Sequence, residues 1–560
     1  MDRQAMRYIF DQIAASLALK GDNPFRIRAF ENAARAVAEY PGDLGDAVRS
    51  GALKNVEGIG KGTLEIAREL VTTGRSSLLD ELRERVPPGL VEMLRVPGLG
   101  VSKVRRIHDA LQIDSLADLE EAAADGRLAQ LPQFGAKTAE KVRKGIAALR
   151  RAVEFRLFHH ARAEAETLRR ALATEAGVER VEIAGSVRRC REVIRDLDLV
   201  VQHAPGAAAA LVARLGETPR VTEFVGKEGA VTLRFESGLV ADVFLATAAD
   251  FGTTWVRATG SAAHLGQLEA RGFDPHCPFP GEAEVYRAVG IPWIAPELRE
   301  GLGEIEAAVE GRLPALVEPE DLKGFLHCHT NYSDGSTTIA QWADAARGAG
   351  YAWIGITDHS GSAAYAGGLK AEDVPRQLEE IDAVNARAGG CRVLKGVEAD
   401  ILADGTLDYG SEVLDRFDFV IGSVHSGFGM SAEEMTGRML HAMDDPRLTI
   451  LGHPTGRMLL TREPYPLDLD RVLATAAARG IAVEVNADPH RLDLDWRLLR
   501  RARDLGVTIS LGADAHSVAG MANVAIGVGV ARKGWLGAGD ILNTRDAEGM
   551  LAFARARRRA

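Results

Sequence analysis

Hydrophobic positions follow two different periods along this chain. Up to about residue 150, apolar residues recur every three or four positions, as in NPFRIRAFENAARAVAEY, where Phe30, Ala33, Ala34 and Val37 share one face behind an Asn23-Pro24 start. This predicts an all-helical region. Three pairs of its helices are joined by short glycine-apolar turns: Gly58-Ile59-Gly60-Lys61, Pro97-Gly98-Leu99-Gly100 and, more weakly, Pro132-Gln133-Phe134-Gly135. Strand-like runs follow, among them DLDLVV at 196–201 and LVADVFLA at 239–246. Beyond a linker around Leu313 to Pro319 come seven apolar runs of strand length, separated by helical segments such as QWADAARGAG and DVPRQLEEIDAVN. Alternating strands and helices predict a parallel sheet closed into a barrel, with function at the carboxyl ends of the strands.

Polar residues interrupt these runs where chemistry is expected. Side chains two apart on a strand share a face, so Asp196 and Asp198 project side by side, and Asp242 on another strand supplies a third carboxylate. Crowded carboxylates repel unless a cation lies between them, and all-oxygen ligation suits Mg²⁺ or Mn²⁺. Three such groups can hold a pair of ions for in-line phosphoryl transfer.

Six of the seven C-terminal runs end in a metal-ligating residue: GFLHCHT (His327, His329), WIGITDHS (His359), RVLKGVEAD (Glu398), DFVIGSVHS (His425), TILGHPT (His453) and TISLGADAH (Asp514, His516). With Asp334 of NYSDGS they make nine ligands of mixed N/O type, suited to two or three ions of Zn²⁺, Mn²⁺ or Fe²⁺. Glu484 and Asn486 end the remaining run, AVEVNAD, placed to support those ligands or touch substrate, while His441 and His490 fall outside the pattern as surface residues. In the helical region the glycine turns expose helix N-termini, whose free N–H groups attract phosphate. The candidate contacts are Gly58, Gly60 and Lys61, then Gly98, Gly100 and Lys103, then Gly135 and Lys137.

Composition changes the picture in two places. A length of 560 residues requires several domains. The net charge of −11 argues against nucleic acid only until it is located. Residues 1–150 carry 23 Lys+Arg against 21 Asp+Glu, so the acidic excess lies beyond them and local phosphate contacts remain open. No run has the length of a membrane span, the MDRQAMRYIF start lacks a signal-peptide pattern, and four cysteines without CxxC spacing predict a reducing cytoplasm with neither disulfides nor a thiolate zinc site.

GSVRRCREVIRDLDLVV at 185–201, with Asp242, resembles the palm of nucleotidyltransferases, in particular of family X DNA polymerases. The glycine turns look like helix-hairpin-helix motifs, which grip DNA backbones without reading sequence. The H-x-H, S-D-G, T-D-H, G-x-E, S-V-H, G-H-P and D-A-H series looks like the polymerase and histidinol phosphatase (PHP) family. Nearly the whole chain therefore resembles bacterial family X polymerases with a C-terminal PHP domain.

The resemblance implies a multidomain α and α/β chain: a helical lyase-like domain at 1–85, helix-hairpin-helix fingers at 86–150, a mixed α+β palm at 151–245, a thumb at 246–315 and a distorted (β/α)7 PHP barrel at 320–560. It implies Arg156, Gly185, Ser186, Arg189, Gly260 and Ser261 as the dNTP contacts and Asp196, Asp198 and Asp242 as the catalytic metal ligands. The implied function is short-gap filling in DNA repair with 3′→5′ exonuclease or 3′-end processing, by a cytoplasmic, nucleoid-associated monomer that binds DNA and no membrane.

Some positions depart from the family pattern. Ala258 replaces an aromatic, and Leu265 and Glu269 stand where Asn and Arg often contact the base pair, which motivates the alternative of a 3′-end-processing nuclease with weak or lost polymerase activity. Ile66 replaces the Schiff-base lysine of lyase-active relatives and Gly62 a basic residue, so lyase activity is not expected. A non-enzymatic DNA-end scaffold would leave twelve apparent metal ligands unexplained.

Overall fold

A computed structural model describes residues 3–559 apart from 41–43, 57, 219–220, 228, 237 and 388–389. The chain divides into two compact units, Met1–Glu154 and Phe155–Ala560. Among its described residues the first unit is helical throughout, with two cores, one from Met6 to Leu82 and one from Leu19 to Ile146. Helix Pro24–Glu39 starts as its sequence predicts: Asn23 caps it by accepting from Phe25 N, and Phe30, Ala33, Ala34 and Val37 are buried. The three glycine turns precede helices Lys61–Thr73, Val101–Leu111 and Ala136–Glu154. Gly58 and Gly98 take φ of 90° and 85°, and Gln133 takes 74° at the matching place in the third turn. A side chain is disfavoured there by about 1–2 kcal/mol, which is why the third turn reads weakly. Helix Ala136–Glu154 runs four residues past the expected boundary at 150.

The second unit begins with β1 (Arg156–Leu157), paired antiparallel to β3 (Val193–Ile194). Its five-stranded sheet has the order β2-β4-β7-β6-β5, from β2 (Val178–Ile183), β4 (Leu197–His203), β5 (Val221–Lys227), β6 (Ala230–Phe235) and β7 (Val240–Ala246). Only β4 and β7 in that sheet run parallel among the described pairs, and this brings two distant carboxylates side by side.

The seven C-terminal runs form a closed, all-parallel barrel: β8 (Gly324–Cys328), β9 (Trp353–Ile356), β10 (Arg392–Asp400), β11 (Phe419–Ser423), β12 (Leu448–Leu451), β13 (Ala482–Asn486) and β14 (Ile509–Ala515). Their near-continuous apolar sequences reflect burial on both faces. Leu326, Trp353, Leu394, Phe419, Ile421, Ile450 and Ala482 pack with Met550, Leu551 and Ala554 of the last helix, Ala547–Arg559, while the polar ligands lie toward the other ends of the strands. The expected linker is packed rather than free: Val317 is buried and its N–H donates to Leu536 O at 3.0 Å.

Between sheet and barrel, helices from 251 to 309 enclose a buried ion cluster. Glu282 accepts paired hydrogen bonds from Arg188 (2.7 and 2.7 Å) and from Arg299 (2.6 and 3.1 Å), and Trp255 stacks on Arg188. Burial pushes the Glu282 carboxyl up, but the two guanidiniums outweigh it and hold the group at about 2. Removing one partner of a buried ion cluster leaves uncompensated charge at a cost of about 3–5 kcal/mol. Glu282→Ala is therefore expected to lower stability by that amount in urea unfolding followed by tryptophan fluorescence. Because the folded carboxyl titrates below its ordinary 4.5, the wild-type contribution is complete above that value and lost as pH falls toward 2.

Candidate functional site

Two sites emerge. In the first, the parallel register of β4 and β7 sets Asp198 directly opposite Asp242. Asp196 stands one residue before β4, which the fully buried Leu197 and Leu199 anchor in the core. Thr232, opposite Asp242 on β6, donates to its Oδ1 at 2.5 Å. Burial, then Asp196 and Asp242, push the Asp198 carboxyl up to about 8, and burial and Asp242 raise Asp196 as well. Asp196 and Asp198 are thus disfavoured in their charged forms, a cost a divalent cation relieves.

Gly185 opens a short helix, Gly185–Arg188. Its φ is 58°, and a Cβ there would lie 1.7 Å from Asp198 Oδ2, so only glycine lets the carboxylate occupy its place. The next residue, Ser186, has a buried Oγ with no hydrogen-bond partner among the described residues. Arg189 donates from Nη1 to Thr259 O at 2.5 Å and from Nε to Glu300 Oε1 at 3.0 Å. Arg189 thus joins the Gly185–Ser186 segment to the Thr259-Gly260-Ser261 turn, where helix Phe251–Thr259 ends and Ser261 caps helix Ala262–Ala270. Arg156, on β1, lies with Nε 3.2 Å from Glu164 Oε2. Leu265 lies against Gly260, and Glu269 is exposed.

The second site gathers all nine expected ligands at the barrel mouth. Glu398 is the hub. Its Oε1 lies 3.0 Å from His453 Nε2, 3.3 Å from His327 Nε2 and 3.5 Å from His425 Nε2; its Oε2 lies 2.8 Å from His359 Nδ1 and 3.8 Å from His329 Nε2. Asp514 Oδ1 is 3.2 Å from His329 Nε2, and Asp334 Oδ1 is 3.3 Å from His516 Nε2. Three overlapping ion-sized groups result: His329, Asp334, His359 and His516; His327, His329 and Asp514; His359, Glu398 and His425.

Buried donors and acceptors normally find partners. Here His329 Nδ1 and His453 Nδ1 are buried without a hydrogen bond among the described residues, and His327 Nε2, His359 Nδ1 and Glu398 Oε2 meet at the short distances above without hydrogen-bond alignment, as cation ligands would. His327, His453 and Asp514 also adopt positive φ, of 59°, 22° and 49°, a strain that clusters at functional sites. Burial depresses the His359 ring, but Glu398 outweighs it and raises the ring to about 9, while the buried Glu398 and Asp514 are held well below the carboxylate range by the histidines around them.

Other residues hold these ligands. Glu484 Oε1 lies 2.5 Å from His327 Nδ1, its Oε2 accepts from His453 N at 2.8 Å, and Asn486 donates to Asp514 Oδ2 at 3.1 Å. Sequence reasoning missed three more. Asp400 pairs with His425 Nδ1 at 2.7 Å, and its spacing of two from Glu398 on β10 was the available signal. Asp358, beside His359, accepts from Thr330 N, Ser333 Oγ and Gln377 Nε2 and so orders the loop that carries Asp334. Half-buried Arg491 lies 3.4 Å from Asp514 Oδ2, and nothing in the sequence marks it. His441 and His490 are exposed.

In the helical unit, Lys61 is the first residue after the Gly60 cap, Lys103 folds back to donate to Gly98 O at 2.9 Å, and Lys137 is exposed. Gly100 likewise caps the helix that carries Lys103, and Gly135 precedes the one that carries Lys137. Ile66 packs against the first core.

Residues 1–76 match the family model of a helix-hairpin-helix domain, residues 90–148 that of a SAM-like helix-hairpin-helix tandem, and residues 326–487 that of the PHP domain. The chain is 34% identical over 580 residues to the DNA polymerase/3'-5' exonuclease PolX of Bacillus subtilis, a match covering 99% of each chain. Its C-terminal part is 30% identical over 207 residues to a probable phosphatase of Caldanaerobacter subterraneus and 29% over 206 to one of Syntrophotalea carbinolica, each covering 34% of this chain and 74% and 79% of theirs.

Gly185→Ala displaces Asp198 without touching the barrel. Mn²⁺ titration is expected to show binding at the sheet site weakened about tenfold or more, the effect typical of disturbing a ligand's support, with the metal content of the barrel unchanged by elemental analysis.

Proposed function

The chain belongs to the PolX family, the family X DNA polymerases with a C-terminal PHP domain, and from that premise we propose how its residues divide the work. It is a DNA polymerase with a metal-dependent 3′→5′ exonuclease. Asp196, Asp198 and Asp242 hold Mg²⁺ or Mn²⁺, since every donor is a carboxylate oxygen. The nine barrel residues hold two or three ions of Zn²⁺, Mn²⁺ or Fe²⁺, since their donors mix imidazole and carboxylate. Divalent ions at these positions neutralise phosphate charge and acidify water or a hydroxyl.

The chain's own groups do the rest. Asp242, or a water beside it, takes the proton of the primer 3′-hydroxyl, and Thr232 orients that carboxylate. The unpartnered Ser186 Oγ, Arg189, Arg156 and the Gly260-Ser261 turn receive the dNTP triphosphate. Glu484, Asp400 and Asn486 orient the barrel ligands. The glycine turns with Lys61, Lys103 and Lys137 grip the DNA backbone without reading bases, which suits short gaps and frayed ends in repair. Such a substrate puts the work at the nucleoid, in a monomer. No helix among the described residues is long and apolar enough to cross a membrane. Ile66 cannot form an imine, so lyase chemistry forms no part of this division.

One observation carries it: the barrel ligands gather around Glu398, and the sheet register sets Asp198 opposite Asp242 with Asp196 one residue before β4. A whole-length relative named as both polymerase and exonuclease disfavours a nuclease with lost synthesis.

Extension of a primer across a one-nucleotide gap tests the division. Wild type and His329→Ala should extend, and Asp198→Ala should slow by on the order of a hundredfold or more. Wild type and Asp198→Ala should shorten an unpaired 3′ end, and His329→Ala should not. Extension by Asp198→Ala at the wild-type rate would refute the assignment of the sheet site.

A further inference from the structure

Lys533 has no role in either site, yet it is among the most buried charged residues of the chain, 1% exposed at the end of the barrel helix Val524–Lys533. Every hydrogen bond its ammonium makes leaves the barrel. Nζ donates to Arg189 O at 2.8 Å, to Glu297 O at 3.3 Å and to Glu300 Oε1 at 2.5 Å, and it sits 4.4 Å above the ring of Trp496. Burying a lysine costs several kcal/mol unless its partners compensate. Burial drives its pKa down to about 8 in spite of Glu300.

Fastening the barrel to the sheet does not account for this lysine, because other contacts already do so. Glu192 accepts from Trp496 Nε1 at 2.9 Å and Arg497 Nη1 at 2.8 Å, and Arg532 donates to Glu297 at 2.7 Å. Of these barrel contacts among the described residues, it is Lys533 that reaches Glu300. The same Oε1 that accepts from Lys533 accepts from Arg189 Nε at 3.0 Å, and Oε2 takes Arg191 Nη1 at 3.3 Å. Arg189 is thereby pinned between Glu300 and Thr259 O, while its Nη2 makes no hydrogen bond among the described residues. An arginine held along one edge with donors to spare is preorganised for an anion.

We propose that Lys533, a residue of the exonuclease barrel, is a positioning residue of the polymerase site: it fixes Glu300, and Glu300 holds Arg189 in the pose that receives the dNTP triphosphate. The barrel is thus a structural part of the polymerase nucleotide pocket. The proposal rests on the reading of Arg189 as a triphosphate contact.

Steady-state filling of a one-nucleotide gap, with DNA affinity and single-strand exonuclease rate measured on the same full-length preparations, tests it. Lys533→Met is expected to raise KM for dNTP roughly tenfold, mid-range for residues coupled through one ion-pair network, with kcat changed less and exonuclease rate and DNA Kd unchanged. Glu300→Gln, which keeps the shape of the side chain and leaves the barrel intact, should raise KM likewise. In the Glu300→Gln background, Lys533→Met should add nothing further. Arg189→Ala separates the two layers: if it leaves KM for dNTP unchanged, the reading of Arg189 fails. If Arg189→Ala raises KM while Glu300→Gln or a folded Lys533→Met does not, the positioning role is overturned. It is overturned equally if Lys533→Met lowers both activities in parallel, or if the two substitutions act additively on KM.

Discussion

Asp198 occupies a place that electrostatics opposes. It is buried, it faces Asp242 across a parallel pair of strands, and Asp196 lies just before it on the same chain segment. Only a rigid frame keeps such groups together in the absence of cations, and much of the sheet is that frame. Leu197 and Leu199 lock β4 from beneath, the lone parallel pair sets the register, and Gly185 leaves the carboxylate its only room. The barrel meets the same constraint by other means. Its ligands sit at the ends of strands buried on both faces, so the backbone cannot relax to let them separate, and three of them accept positive φ instead. In both sites the apolar sequence around the ligands is what keeps unfavourable polar groups close enough to share an ion.

The legible part of the sequence is the part where one residue type has one reason to be where it is. The seven apolar runs gave the barrel, and the six of them ending in His, Asp or Glu gave eight of its nine expected ligands, because a ligand at a strand's carboxyl end leaves a period break that nothing else in a buried strand explains. The D-x-D spacing with a distant Asp was readable for the same reason. Gly58 and Gly98 were readable because their positive φ favours glycine, and the third turn was fainter because Gln133 tolerates the same backbone region at some cost.

Partners brought in from far along the chain left no such trace. Glu300 and Lys533 lie 233 residues apart and meet only because the barrel packs against the sheet. Glu192 with Arg497, and Arg188 with Glu282, are ordinary charged residues in sequence and become pairs only in the fold. Asp400 and Asp358 were within reach, since each neighbours a recognised ligand at a spacing that strand geometry makes meaningful. Arg491 was not, because it lies on an irregular segment with no period to interrupt. The boundary at 150 was misplaced by four residues for a related reason: helix Ala136–Glu154 continues its pattern without a cap or breaker until Glu154.

The contrast between the two sites bears on how they coexist. In the sheet site burial and neighbouring carboxylates raise Asp196 and Asp198, while in the barrel Glu398 and Asp514 are held low by histidines and His359 is held high by Glu398. In the first site Arg189 and Arg195 oppose that rise only in part, whereas in the second the opposing charges stand within the ligand set itself. Arg189 opposes the raised carboxyl of Asp198 from within the protein, and Glu300 is the carboxylate that restrains it. Arg191 and the buried Lys533 share Glu300, so that three cations lean on one carboxylate. On the proposed reading of Arg189, a lysine of the barrel thus acts on the sheet site, a reason for the two halves to be packed as one unit rather than strung on a linker.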